Sequence, residues 1–421
     1  MGWRPQSRQI RRDLHADQLR AEFSYLNVWT GAKSSKEHRP VMVWIHGGAL
    51  TRGSGSLALY DGEALAKKGV VLVTINYRLG IFGFFAHPEL TKESDRHTSG
   101  EYGFLDQIQA LQWVHDNIEQ FGGDPKKVTI FGESAGSWSI NTLVASPLTK
   151  GLFQRAIGES GAFFAPLPTL ADAEKVGERV MKQQNASSIA DLRAKPADVL
   201  MKAGGELARA NIDGYLLPDQ VAAIFAAGKQ NDVPTLIGSN ADEGTAFTPA
   251  GVKAENFKNL AKSRFGDLAE AFLKIYPSGS DEQARDSQAK SMRDQTFGWE
   301  MRTWARAQTK TGKGKVFVYY FSRVPSDPFG QKLGAYHASE IAYAFNNVQS
   351  KQDADIKLAD TMSSYWVNFA TSGDPNGKGL PKWPSYNLKT DLAMGLGDRV
   401  QPTEVPNKAG LDFLDEVNAK R

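Results

Sequence analysis

A serine between two glycines, one downstream histidine and a pair of adjacent acids are the residues of this 421-residue chain whose types and order suit chemistry. The serine is Ser134, in Gly132-Glu133-Ser134-Ala135-Gly136. The apolar run Val128 to Phe131 leads into it, and Ile140, Leu143 and Val144 follow at helical spacing. Strand, tight turn and helix is the context that gives G-x-S-x-G a physical meaning. The serine stands on a strained turn with its hydroxyl pushed out, and the glycines are small because strand and helix pass close together. The amide of Ala135 is left at a helix N-terminus, where the dipole favours a developing negative charge. Taken alone, the pentapeptide also fits a glycine-bounded turn with an incidental serine. A base, an acid and an oxyanion hole are what separate the two readings.

Six of the seven histidines (His15, His38, His46, His87, His97 and His115) precede Ser134. The chain order nucleophile, acid, base leaves only His337, in the segment Gly334 to Glu340. That segment lies shortly after Val316 to Phe321, the last clear strand of the pattern. The acid is expected after the strand before it, Val233 to Ser239, where Asp242 and Glu243 stand side by side. Position does not choose between them. An oxyanion hole needs backbone amides with no bulky side chain in front of them, and His46-Gly47-Gly48-Ala49-Leu50 supplies such a turn after the buried run Val41 to Ile45. His46 has no acid or histidine at ligand spacing and reads as loop packing. His337 and Glu340 lack an H-E-x-x-H context, so they do not read as a metal pair.

These residues need a scaffold. The strands Val41 to Ile45, Val70 to Asn76, Val128 to Phe131, one led into by Leu152 to Ile157, Val233 to Ser239 and Val316 to Phe321 are apolar throughout. Helical patterns such as Phe104 to Phe121 separate them. That alternation predicts an α/β fold with a mostly parallel sheet covered on both faces. About seventy residues separate the later strands, where a crossover needs about a dozen. The surplus predicts helical cap insertions near 163–230 and 246–312. Residues 1–24 show no strong periodicity and are expected to form a loosely ordered arm, with one domain over 25–421.

Apolar residues make up 41% and charged residues 23%, ordinary for a globular protein with a large core. A net charge of +3 gives no argument for nucleic acid or a membrane surface. There is no cysteine, which excludes thiol catalysis, disulfides and Cys-ligated metals. No apolar run approaches a membrane span, and the first twenty residues lack a signal-peptide core, so a cytoplasmic location is the default expectation. No P-loop or G-x-G-x-x-G is present, and no nucleotide site is expected.

The motifs together resemble the type B carboxylesterases, the cholinesterase-like branch of the α/β-hydrolases, and within it the bacterial para-nitrobenzyl-esterase-like members. The matching stretches are Tyr25 to Trp29, Val41 to Ala49, Ile75 to Phe84, Tyr102 to Gln107, Phe121 to Pro125, Phe131 to Gly136, Asp242 to Gly244, Tyr365 to Phe369 and Gly373 to Asn376. The resemblance implies Ser134 as nucleophile, Glu243 as the acid and His337 as the base. It implies an oxyanion hole of the Gly48, Ala49 and Ala135 amides, and no cofactor or metal. Arg78 and Asp106 fall at positions of structural ion pairing, and Ser160 at a position beside the triad that is not a nucleophile. The family's cysteine-containing run before Tyr25 is replaced by Ala21-Glu22-Phe23-Ser24, Glu101 stands where Asn is usual, and residues 1–24 do not resemble the family's N-terminal small sheet. An uncovered sheet edge and a marginally stable chain are the expectation from that last difference.

The implied activity is hydrolysis of small-molecule carboxylic esters through an acyl-enzyme, with Trp138, Phe247, Phe297 and Trp299 as candidates to line the pocket. A binding protein on an inactive hydrolase scaffold is the reading from another class; such relatives have usually lost the nucleophile, whereas all three triad positions are present here, so its remaining form is loss of activity through the lack of a family-like N-terminal segment. An amidase or thioesterase would use the same triad. The oligomeric state is not written in these motifs.

Overall fold

Strands with no polar face must be covered on both sides. In the computed structural model, which describes residues 25–203 and 209–420, a nine-stranded sheet lies between two helical layers. The strands are β1 (Leu26–Trp29), β2 (Arg39–Ile45), β3 (Val71–Ile75), β4 (Gly123–Glu133), β5 (Arg155–Glu159), β6 (Thr235–Asn240), β7 (Val316–Phe321), β8 (Leu392–Leu396) and β9 (Val400–Glu404). Their spatial order is β1-β3-β2-β4-β5-β6-β7-β8-β9. β3 through β8 pair in parallel, and only the outermost strands, β1 on β3 and β9 on β8, are antiparallel. The chain turns back between β3 and β4, so a crevice opens beyond the carboxyl ends of β2 and β4. Ligands bind at such reversals in open α/β sheets.

Side-chain alternation divides each strand between two cores. Val41, Val43 and Ile45 of β2 enter one core, Met42 and Trp44 the other. The first core is closed by α1 (Tyr102–Asn117), α2 (Ala135–Ala145), α4 (Val221–Ala226), α6 (Trp299–Thr311) and α8 (Lys408–Ala419). The second is closed by α7 (Asp353–Ser372), with Trp44 packed against Tyr60, Phe131 and Phe345. A smaller apolar cluster joins α3 (Leu170–Gln183), through Val180, to Ile189, Leu192 and Leu200 and to Ile81 and Phe85. α5 (Asp281–Arg293) runs into α6 through a π-helical turn, Asp294–Gly298. Thus both long inter-strand segments end in a helix of the first core: α6 packs on β6 and β7, and α4 packs on α2 and α6.

The sheet does not end at Val316–Phe321. β8 and β9 follow it, so the strands preceding Glu243 and His337 are not the penultimate and last ones. β8 is short and contains Gly395, and β9 carries Gln401, Pro402 and Glu404 on an edge, so neither stands out as an apolar run. At the opposite edge β1 covers β3. The arm expected over 1–24 lies outside the described residues. Among the described residues no helix is long and apolar enough to cross a membrane.

Candidate active site

β4 ends at Glu133, and Ser134 makes the turn into α2 with φ 57° and ψ −121°. A non-glycine residue rarely adopts that conformation, and surrounding packing must enforce it. The packing is visible at the flanking glycines. A Cβ at Gly136 would lie 2.0 Å from the carbonyl oxygen of Ile45, and one at Gly132 would lie 2.5 Å from the same oxygen. β2 therefore forces both glycines, and the turn between them projects the serine. Ala135 opens α2, where a first-turn amide has no intrahelical acceptor.

His337 and Glu243 come to this turn on two neighbouring loops, after β7 and β6. Ser134 Oγ lies 2.8 Å from His337 Nε2, and Glu243 Oε2 lies 2.6 Å from His337 Nδ1. Glu243 is fully buried, and its other oxygen accepts from the Ser160 hydroxyl at 2.5 Å and from the Asn240 amide at 2.8 Å. Asp242 points elsewhere. Its Oδ2 accepts from the Ala335 amide at 2.8 Å, and its own amide donates to the Ala335 carbonyl, which ties the β6 loop to the loop that carries His337. A Cβ at Gly334 would lie 2.2 Å from that same oxygen, so glycine is required there.

After β2, Gly48, Ala49 and Leu50 all have positive φ, at 104°, 56° and 59°. Such a run turns successive amides toward one side. The amide of Ala49 meets no acceptor among the described residues. A Cβ at Gly47 would lie 2.6 Å from the Glu133 carbonyl and 3.0 Å from the Ser134 Cβ, so this turn passes directly beside the serine.

A family model described as the carboxylesterase family matches residues 24–414. The chain belongs to the carboxylesterase family. It is 37% identical over 409 residues to the fumonisin B1 esterase of Sphingopyxis macrogoltabida, covering 89% of this chain and 73% of that protein. It is 36% identical to carboxylesterase 1F of Mus musculus, covering 96% and 80%. Among solved structures, a PNB esterase superposes with a TM-score of 0.81 at 34% identity, over 93% of this chain and 85% of that one. The fold is that of an α/β-hydrolase, and the protein is a serine hydrolase of carboxylic esters.

In this carboxylesterase the Glu133 side chain also reaches the imidazole, with Oε1 3.1 Å from His337 Nε2. The motif writes that position as a variable residue, so nothing in the sequence pattern singled it out. Burial alone pushes the imidazole pKa down. The charges of Glu133 and Glu243, with the Glu243 hydrogen bond, outweigh it and raise His337 to about 9. Burial raises Glu133 to about 7, with the Glu243 charge pushing the same way and His337 opposing.

Arg78 pairs with Asp106 through Nε and Nη2 at 2.8 and 2.7 Å. His46 donates from Nδ1 to the Gly47 carbonyl and stacks on Tyr77. Glu340 accepts from the Asn240 side-chain amide. Phe297 and Phe247 pack against the His337 ring at centroid distances of 4.6 and 5.2 Å. Trp138 stacks on Phe163, one helical turn beyond Ser134, whereas Trp299 donates to Asp415 on α8.

Proposed function

We propose that Ser134 is the nucleophile, His337 the general base and acid, and Glu243 the residue that orients the imidazole. The support is an unbroken chain from Oγ to Nε2 at 2.8 Å and from Nδ1 to a buried carboxylate at 2.6 Å. With Nδ1–H donating to Glu243, the Nε2 lone pair faces the serine hydroxyl. Ser134 Oγ attacks the ester carbonyl carbon as its proton passes to Nε2. The carbonyl oxygen becomes an oxyanion, and the amides of Gly48, Ala49 and Ala135 are the donors we assign to it. Collapse of the tetrahedral adduct breaks the bond to the alkoxy oxygen, which takes the proton from Nε2 and leaves as alcohol. Water then repeats the sequence on the acyl-enzyme and restores Ser134. The substrates are small-molecule carboxylic esters.

An organophosphonate probe tests the assignment. One serine should be labelled, and peptide mapping should find the label on Ser134. Labelling that persists in Ser134→Ala would remove Ser134 from the mechanism. A panel of p-nitrophenyl esters differing in acyl length would then define the preferred substrate.

A further inference from the structure

The base in this site has a choice of partners. His337 Nε2 lies 2.8 Å from Ser134 Oγ but only 3.1 Å from Glu133 Oε1. Once the ring is protonated, a carboxylate attracts it more strongly than a neutral oxygen does. An imidazolium that tilts toward Glu133 cannot deliver its proton to the leaving alcohol. Hydrogen bonding alone leaves that tilt open, so packing must limit it.

The packing comes from an irregular helix. Asp294–Gly298 is a π-helical turn between α5 and α6. A π turn inserts one residue, which rotates the next helical turn by about 100° around the axis. Phe297 sits on this turn, buried, with its ring 4.6 Å from the imidazole and inclined at 33°. Phe247 also contacts the ring, but it is 46% exposed and so is the looser wall. The turn is fastened from the far side. Asp294, almost fully buried, accepts from the Tyr276 hydroxyl and from Arg293 Nε, each at 2.8 Å, and from the Asn407 side chain. A Cβ at Gly298 would stand 3.3 Å from Leu411 of α8.

We propose that Phe297, presented by this π turn, is a positioning residue that holds the His337 imidazole in line with Ser134 against the pull of Glu133. The proposal rests on His337 being the base. In this role Phe297 acts through the ring it packs on.

The test is a double-mutant cycle on a short-chain p-nitrophenyl ester. Phe297→Leu should lower kcat about 10-fold and Phe297→Ala up to about 100-fold, the scale expected of small misplacements of a reacting group. KM should stay near wild type, and organophosphonate labelling of Ser134 should slow in parallel. In a Glu133→Gln background, where the competing charge is gone, Phe297→Leu should cost clearly less. Tyr276→Phe, which loosens the turn without touching the site, should give a smaller fall in kcat, and both it and Phe297→Leu should move the acid limb of kcat/KM to higher pH, because a ring free to tilt toward Glu133 holds its proton more tightly. This variant keeps the test open if the Phe297 variants fold poorly. An unchanged kcat and acid limb in both Phe297→Leu and Tyr276→Phe would overturn the proposal. So would an equal loss with and without Glu133, which would mark Phe297 as ordinary core packing. Activity that survives His337→Ala would instead remove the base assignment itself, a result separable from either.

Discussion

Two carboxylates meet opposite nitrogens of one imidazole, and their roles differ by what else holds them. Glu243 is fixed by Ser160 and Asn240, while Glu133 Oε1 has no hydrogen-bond partner that fixes it. With His337 as the proposed base, catalysis needs the neutral ring, and both carboxylate charges favour the protonated one, so kcat/KM should fall on acidification from a pH above the ordinary histidine value of about 6.5. Glu133→Gln removes one of those charges and should move the acid limb down. A wild-type limb at or below 6.5, unmoved by Glu133→Gln, would show that Glu133 is not felt at the ring. The neighbouring acids divide as sharply. Glu243→Gln would place an amide N–H against Nδ1–H and force the wrong tautomer, a change that costs about 10⁴-fold in kcat in a serine-protease triad. By rate arithmetic that is about 5 kcal/mol. Asp242→Asn should keep activity within about tenfold and lower Tm, because its carboxylate ties two loops together. Measuring kcat/KM and melting for both variants checks it, and the reverse pattern would exchange their roles. His337 was legible because no other histidine follows Ser134. The choice of Glu243 was not legible from position, since it depends on which way two adjacent side chains diverge.

The elbow stores strain at its element junction. Ser134 holds φ 57° and ψ −121°, a conformation open to glycine but costing other residues about 1–3 kcal/mol. Ser134→Gly and Ser134→Ala should both be inactive, yet the glycine variant should melt higher, because relief of strain exceeds the roughly 0.4–1 kcal/mol of extra unfolded-chain entropy. Calorimetry of the two checks this, and a lower Tm for Ser134→Gly would mean the turn is not strained. Strand, turn and helix were legible here because an apolar run, two glycines and a helical repeat follow in order. β8 and β9 were not, since a short strand interrupted by glycine and an edge strand with proline and charge carry little periodic signal. The π turn was equally hidden. Nothing in Asp294-Gln295-Thr296-Phe297-Gly298 marks it as a π turn, and the contacts that hold it, from Tyr276 and Asn407 to Asp294, are tertiary.

At the scale of the molecule, folding buries a set of acids, some near the site and some distant from it. Burial raises Glu159 to about 8, with the Glu133 charge adding to it, and raises Glu300 to about 8. Burial also raises Glu101 and Glu340. In the unfolded chain these groups titrate near 4.5, so between about pH 4.5 and 8 the folded state binds more protons than the unfolded one. By linkage, stability falls as pH rises through that window. His337 acts in the same direction. Its folded value is raised, so its contribution is complete below about 6.5 and is lost as pH climbs toward 9. Asp355 is lowered to about 2, by hydrogen bonds from Arg323, Ser350, Ser326 and Tyr343 that outweigh burial, so its contribution is lost only as pH falls from about 4 toward 2. Tm should therefore be highest near pH 5 and decline steadily toward pH 9. Glu159→Gln mimics the protonated side chain and keeps an acceptor for the Trp366 indole N–H, now at 2.8 Å from Oε1. It should flatten the decline without lowering Tm at pH 5. Melting curves from pH 4 to 9 for wild type and Glu159→Gln decide it, and a wild-type Tm that stays level or rises between pH 5 and 8 would mean these carboxylates are ionised in the fold. Activity is expected to rise over the range in which stability falls, because the protons that His337 must shed to act as a base are among those that help hold the fold together.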